Sequence, residues 1–199
     1  MKEFISLIKK ELPQETPIIP IRVGDTSLED SRRSYFDDAN RQVDNVCKSL
    51  RNNPALAGGF NAIGLSQGGL MFRAVIERCS GLKVNNLITL GSPLQGVAAY
   101  PGCGQGNGWT SMVKSRVMRA IFKRTRENLL PCRVIQALVG TSIYASNVQQ
   151  NIMPAQYFKD PTNIAGYLKS NRFLVDINNE LPVSPNFLPP LRLIHDYPL

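Results

Sequence analysis

The stretch NAIGLSQGGLMFRAVIERC, residues 61–79, changes its periodicity in the middle. Phe60 to Leu65 is short and apolar and predicts a buried strand. From Gln67 to Arg78 the apolar residues Met71, Val75 and Ile76 recur at helical spacing and are expected to face inward. Between the two lies Gly64-Leu65-Ser66-Gln67-Gly68, a G-x-S-x-G pattern. Where this pattern follows a strand and opens a helix, it forms a nucleophile elbow, with the serine held at strained angles on the carboxyl edge of a sheet. Gly64 and Gly68 are then expected to keep the turn free of clashes. Gln67 starts the helix, so its backbone N–H is expected to face a developing oxyanion. The plainer reading is an ordinary turn whose serine caps the helix through its hydroxyl.

The same rhythm extends on both sides. Residues 1–12, MKEFISLIKKEL, put Phe4, Ile5, Ile8 and Leu12 on one helical face, and Pro13 stops the helix. Ile18 to Gly24 predicts a strand, residues 37–51 a helix with Ala39, Val43, Val46 and Leu50 inward, and Val84 to Leu90 another strand. Alternating strands and helices predict an α/β fold, a parallel sheet with helices on both faces. From about Leu94 to Ser170 glycines and short amphipathic helices replace that rhythm, which predicts a mostly helical insertion over one edge of the sheet. The last stretch, Leu181 to Leu199, holds five prolines and predicts irregular chain.

A serine nucleophile needs a base, and the sequence has one histidine, His195. Its position after Ser66 permits the order serine, acid, histidine, but a proline-rich run precedes it and an exposed histidine is the plainer reading. Asp160, Asp176 and Asp196 are each candidates for the acid, and spacing selects none of them.

Of the 199 residues 43% are hydrophobic and 19% charged, a folded composition rather than a disordered one. The net charge of +8 gathers around Lys114 to Arg133. A nucleic-acid reading needs a reading motif beside such a cluster and none is present, so no nucleic-acid partner is expected; a solvated helix face is the plain reading and attraction to an anionic membrane the sharper one. The four cysteines form no C-x-x-C pair, so no zinc site is expected. They permit two disulfides, for which Cys47–Cys79 and Cys103–Cys132 are favoured, or four buried thiols. No metal or cofactor is called for.

These residues resemble the palmitoyl-protein thioesterase family of the plant-like kind. The resemblance rests on Val46-Cys47, Asn61 to Gly69, Arg73-Ala74-Val75 with Arg78-Cys79, Asn86 to Pro93, Gln95-Gly96-Val97, Ala155 to Pro161 and Ser170 to Glu180. It implies a partial α/β-hydrolase domain over residues 1–180 and a divergent tail over 181–199. It further implies cleavage of the thioester between a long-chain fatty acid and a protein cysteine, with Ser66 as the acyl acceptor, Gln67 as an oxyanion donor and S-palmitoylated proteins as partners. The insertion would form the groove for the fatty chain, stapled by Cys103–Cys132, in the lysosome or secretory pathway.

The family pattern begins with a strand and a His-Gly-x-Gly-Asp-like loop and continues beyond the Asp-Ile-Asn-x-Glu segment, so the expectation is a piece truncated at both ends, without a leader, with His195 inheriting no role. Loss of the base is expected to cost about a millionfold in rate. A broader lipid esterase and a non-catalytic acyl-binding fragment are the alternatives.

Overall fold

The computed structural model describes residues 2–98 and 142–181. The chain opens in helix α1, Lys2–Glu11, which stops ahead of Pro13. The strand expected from Ile18 to Gly24 is not formed; these residues run as irregular chain. Pro17 and Pro20 remove two backbone donors, no strand lies alongside among the described residues, and Ile19 and Ile21 remain exposed. The Val23 N–H instead donates to Asp30 Oδ1 at 2.8 Å, leading the chain into α2, Ser27–Arg33. Thr26 caps α2 by accepting from the Glu29 N–H at 3.1 Å. Asp38 caps α3, Ala39–Arg51, in the same way through the Arg41 N–H. The stripe read from the sequence, Ala39, Val43, Val46 and Leu50, is buried along α3, and Gln42 and Cys47 join it.

β1, Phe60–Leu65, leads through Ser66 into α4, Gln67–Arg78, and the chain returns in β2, Val84–Leu90. The two strands pair in parallel, with Ala62 opposite Leu87, Gly64 opposite Thr89 and Leu65 opposite Leu90. A helix crossing between parallel strands is the unit the alternating pattern predicts. Among the described residues one face of this sheet is covered. Ala62 and Gly64 are buried on the α4 side. The opposite row stays open among the described residues, with Ile63 42% and its partner Ile88 50% exposed. Among the described residues β1 is therefore half-buried rather than buried, and the helices packed on the sheet lie on one face. On α4 Val75 is buried and Met71 packs against the core as expected, and Leu70, Phe72 and Ala74 are buried with them, whereas Ile76 is exposed.

The Cys47–Cys79 disulfide joins α3 to the residue after α4, a separation of 32 residues. Closing a loop of that length removes about 4 kcal/mol of unfolded-chain entropy. The described part of the expected insertion is helical: α5, Ser146–Asn151, a 3-10 turn at Met153–Tyr157, and α6, Ile164–Ser170. A short helix α7, Leu174–Ile177, follows. The Asn171 side chain accepts from the N–H groups of Phe173, Leu174 and Val175 and so shapes the entry to α7. Tyr167, Phe173, Leu174 and Val175 are fully buried and continue the core of α3 and α4. Val97 bridges Phe158 in parallel, tying the chain after β2 to the segment before α6. The whole is a mixed helix and strand structure around a small parallel sheet, compatible with an α/β fold. No described helix is long and apolar enough to cross a membrane. The Cys103–Cys132 pairing, the Lys114–Arg133 cluster, His195, Asp196 and the tail after Leu181 lie outside the described residues.

Candidate functional site

Ser66 stands between the carboxyl end of β1 and the first turn of α4 with φ 50° and ψ −126°. This left-handed backbone is costly for a residue with a Cβ, by roughly 1–3 kcal/mol. Two bonds hold it: the Ser66 N–H donates to Leu90 O at 2.9 Å, and Ser66 O accepts from the Gly69 N–H at 3.1 Å. The first therefore pins the turn to the end of β2. The Ser66 hydroxyl makes no capping bond to α4, which removes the reading of this serine as a helix cap. Gln67, first in α4, carries an N–H with no acceptor inside the helix.

The glycines divide their work differently from the expectation. A Cβ on Gly64 would lie 2.3 Å from the Gly69 Cα and 2.5 Å from its nitrogen, so the strand must be bare where the helix crosses it. A Cβ on Gly69 would meet Ser92 Oγ at 2.0 Å and Thr89 Cγ2 at 3.0 Å. A Cβ on Gly68 would meet nothing within 4 Å. The close approach thus rests on Gly64 and Gly69, not on Gly64 and Gly68. The doubled Gly68-Gly69 was the signal in the sequence.

A loop absent from the sequence reading runs beside the turn. At the end of α2 and just after it, four carbonyls accept from three separated parts of the chain. Arg33 O accepts from Gln42 Nε2 at 2.9 Å and Ser34 O from Gln67 Nε2 at 3.2 Å. Tyr35 O accepts from the Met153 N–H at 3.0 Å, and Asp37 O from Gln156 Nε2 at 2.7 Å. The carboxamide of Gln156 is fully buried, and its Oε1 also accepts from the Ala39 N–H at 2.7 Å. Burial pushes the hydroxyls of Tyr35 and Tyr157 above the usual phenol range, and for Tyr157 the neighbouring Tyr35 adds to the rise. Both are neutral at physiological pH.

The aspartates sort by position. Arg78 bonds to Asp176, and Arg78 lies eleven residues beyond Gln67, about 16 Å along the helix. Asp176 therefore sits at the end of α4 away from Ser66 and cannot serve it. Asp160 closes a turn: its Oδ1 accepts from the Thr162 N–H at 2.8 Å and the Thr162 hydroxyl at 2.7 Å, and these bonds hold its carboxyl below the ordinary range. Among the described residues none is a histidine.

A family model described as palmitoyl protein thioesterase matches residues 1–188. The chain is 35% identical over 164 residues to the palmitoyl-protein thioesterase-dolichyl pyrophosphate phosphatase fusion 1 of Schizosaccharomyces pombe, covering 82% of this chain and 23% of that protein. It is 29% identical over 183 residues to palmitoyl-protein thioesterase 1 of Caenorhabditis elegans, covering 90% and 54%. It is 26% identical over 185 residues to palmitoyl-protein thioesterase 3 of Dictyostelium discoideum, covering 92% and 53%. The chain thus spans about half the length of the worm and slime-mould relatives.

Proposed function

The chain belongs to the palmitoyl protein thioesterase family, and from that premise we propose that it acts on the thioester between a long-chain fatty acid and a protein cysteine. The two parallel strands, with the helix between them, are read as part of an α/β-hydrolase sheet. Ser66 is the nucleophile. Its Oγ forms a bond to the thioester carbonyl, the C–S bond breaks, and the cysteine sulfur leaves with the proton taken from the serine. Water then cleaves the acyl-serine ester and restores the hydroxyl. The Gln67 N–H stabilises the oxyanion in both steps. A histidine is the natural carrier of the proton, and no described residue supplies one.

The observation that carries this reading is the Ser66 backbone: φ 50° on a non-glycine residue, at the carboxyl end of a parallel strand, with the hydroxyl left out of the helix cap. Strain of that kind is retained where a side chain must be presented. The segment from about Leu94 to Ser170 is read as the site of the fatty chain, where each buried methylene contributes about 0.8 kcal/mol. The Cys47–Cys79 disulfide favours an oxidising compartment, as in the secretory pathway and lysosome. The basic run from Lys114 to Arg133 suits an approach to anionic membranes, where lipidated proteins reside.

The test uses the folded 199-residue chain and Ser66→Ala, each treated with a fluorophosphonate serine-hydrolase probe and with palmitoyl thioester and oxygen-ester substrates. Labelling that is lost in Ser66→Ala, with thioester cleaved in preference to oxygen ester, supports the reading, and a rate about a millionfold lower is expected where no base serves Ser66. A folded chain that takes no label would overturn acyl transfer by this chain.

A further inference from the structure

The side chain of Gln67 does something its backbone N–H does not. It reaches away from the turn and donates to Ser34 O at 3.2 Å, across 33 residues of sequence. Ser34 lies in the loop whose carbonyls at Arg33, Ser34, Tyr35 and Asp37 are held by three different parts of the chain. Three of the four donors sit in α3 or in the stretch from Met153 to Gln156. Gln67 is the one that comes from the elbow itself. The residue that opens α4 is thereby locked to the wall beside it, and both Gln67 and Ser34 are partly buried.

We propose that Gln67 is a positioning residue through its side chain: the bond to Ser34 O fixes the plane of the Ser66–Gln67 peptide, and with it the direction of the oxyanion-stabilising N–H, against the loop from Arg33 to Asp37. This rests on Ser66 being the acyl acceptor. The same bond carries the loop, and with it Tyr35 and the exposed Phe36, up to the elbow. The acyl group would enter between a helix start and a loop that the Gln67 carboxamide joins to it. A carboxamide suits this task. It donates to the carbonyl without adding charge beside a site where negative charge develops.

Gln67→Met and Gln67→Glu keep the backbone N–H, so any effect comes from the side chain. Methionine removes the donor at nearly constant shape, glutamate sets a carboxylate against the Ser34 carbonyl, and Gln67→Lys restores a donor of similar reach. Hydrogen exchange on the full chain should quicken across residues 33–38 by about tenfold in the Met and Glu variants, the factor corresponding to one net hydrogen bond, and stay near the parent rate in Gln67→Lys. The maximal rate of Ser66 labelling by the fluorophosphonate, per folded molecule, should fall about tenfold in Met and Glu with half-saturation unchanged, and recover in Lys. A purely structural role would lower the melting temperature and the folded fraction without slowing the folded protein. Unchanged exchange in Met and Glu overturns the proposal, as does quicker exchange with an unchanged maximal labelling rate. A parent chain that folds but takes no label defeats the acyl-transfer reading instead, and the exchange rates then decide the tether alone.

Discussion

Gly64 and Gly68 stand two residues either side of Ser66, and the structure gives them unequal burdens. A methyl group on Gly64 would drive into the backbone of Gly69, which cannot withdraw without lifting α4 off β1. Gly64→Ala should cost about 3 kcal/mol, the upper end for overpacking. Gly68→Ala enters open space on a helix and should be neutral or stabilising by up to about 1 kcal/mol. Urea titration of the two variants beside the parent checks both, and equal losses would contradict the division. At this scale the sequence was informative about the turn, because a serine between a strand and a helix has few conformations open to it. The partners at the turn were not legible. That Gly69 meets Ser92, or that Gln67 reaches Ser34, depends on how separate segments are brought together, and local spacing holds no record of that.

Among the elements, α4 carries the connections. Arg73 donates from one guanidinium to Glu77 at 2.7 Å on its own helix, to Leu94 O at 2.8 Å after β2, and to Ile177 O and Asn178 Oδ1 (2.9 Å) at the end of α7. Five residues on, Arg78 bonds Asn40 and Asp176 and lies over the Phe173 ring. Arg73→Met should cost about 3 kcal/mol, since it leaves two backbone carbonyls without their charged donor. Arg73→Lys should recover only part of this, because a single ammonium cannot span the fork of contacts. Thermal unfolding measures both; full recovery with lysine would mean that charge alone matters. The element pattern shows what periodicity can carry. The stripe of α3 was read in full because Ala39, Val43, Val46 and Leu50 keep strict helical spacing. On α4 the spacing places Met71 and Val75 correctly but not Ile76, because Leu70, Phe72 and Ile76 are all apolar and only packing decides among them. α2 was missed although Thr26 and Glu29 carry its N-terminal signature. The strand at Ile18 to Gly24 has the composition of a strand, but strand structure needs a neighbour to bond to.

For the molecule as a whole, two buried or half-buried carboxylates set the response to acid. Asp37 receives bonds from Arg41, Gln42 Nε2 at 3.1 Å and the Asp38 N–H at 2.8 Å. Glu180 receives Lys159 Nζ at 2.5 Å and the Tyr167 hydroxyl at 2.5 Å. Burial would raise both carboxyls, yet these donors outweigh it and hold each below its ordinary value, 3.8 for Asp37 and 4.5 for Glu180. A carboxyl depressed in the folded state contributes stability that is complete above its unfolded value and disappears as the pH falls through the folded one. The melting temperature should therefore stay level from about pH 7 to pH 5 and fall once the pH passes below about 4.5, by roughly 3 °C for each kcal/mol lost. Glu180→Gln should start from a lower melting temperature at neutral pH and show a shallower decline, since it keeps an oxygen for Tyr167 but gives up the charge facing Lys159. Calorimetry across that range distinguishes the cases. A decline beginning near pH 6, or one unchanged by Glu180→Gln, would mean that groups other than these carboxylates govern acid stability. A level curve down to mild acid is also what a protein working in an acidic lumen requires, so the measurement bears on the compartment as well as on the fold.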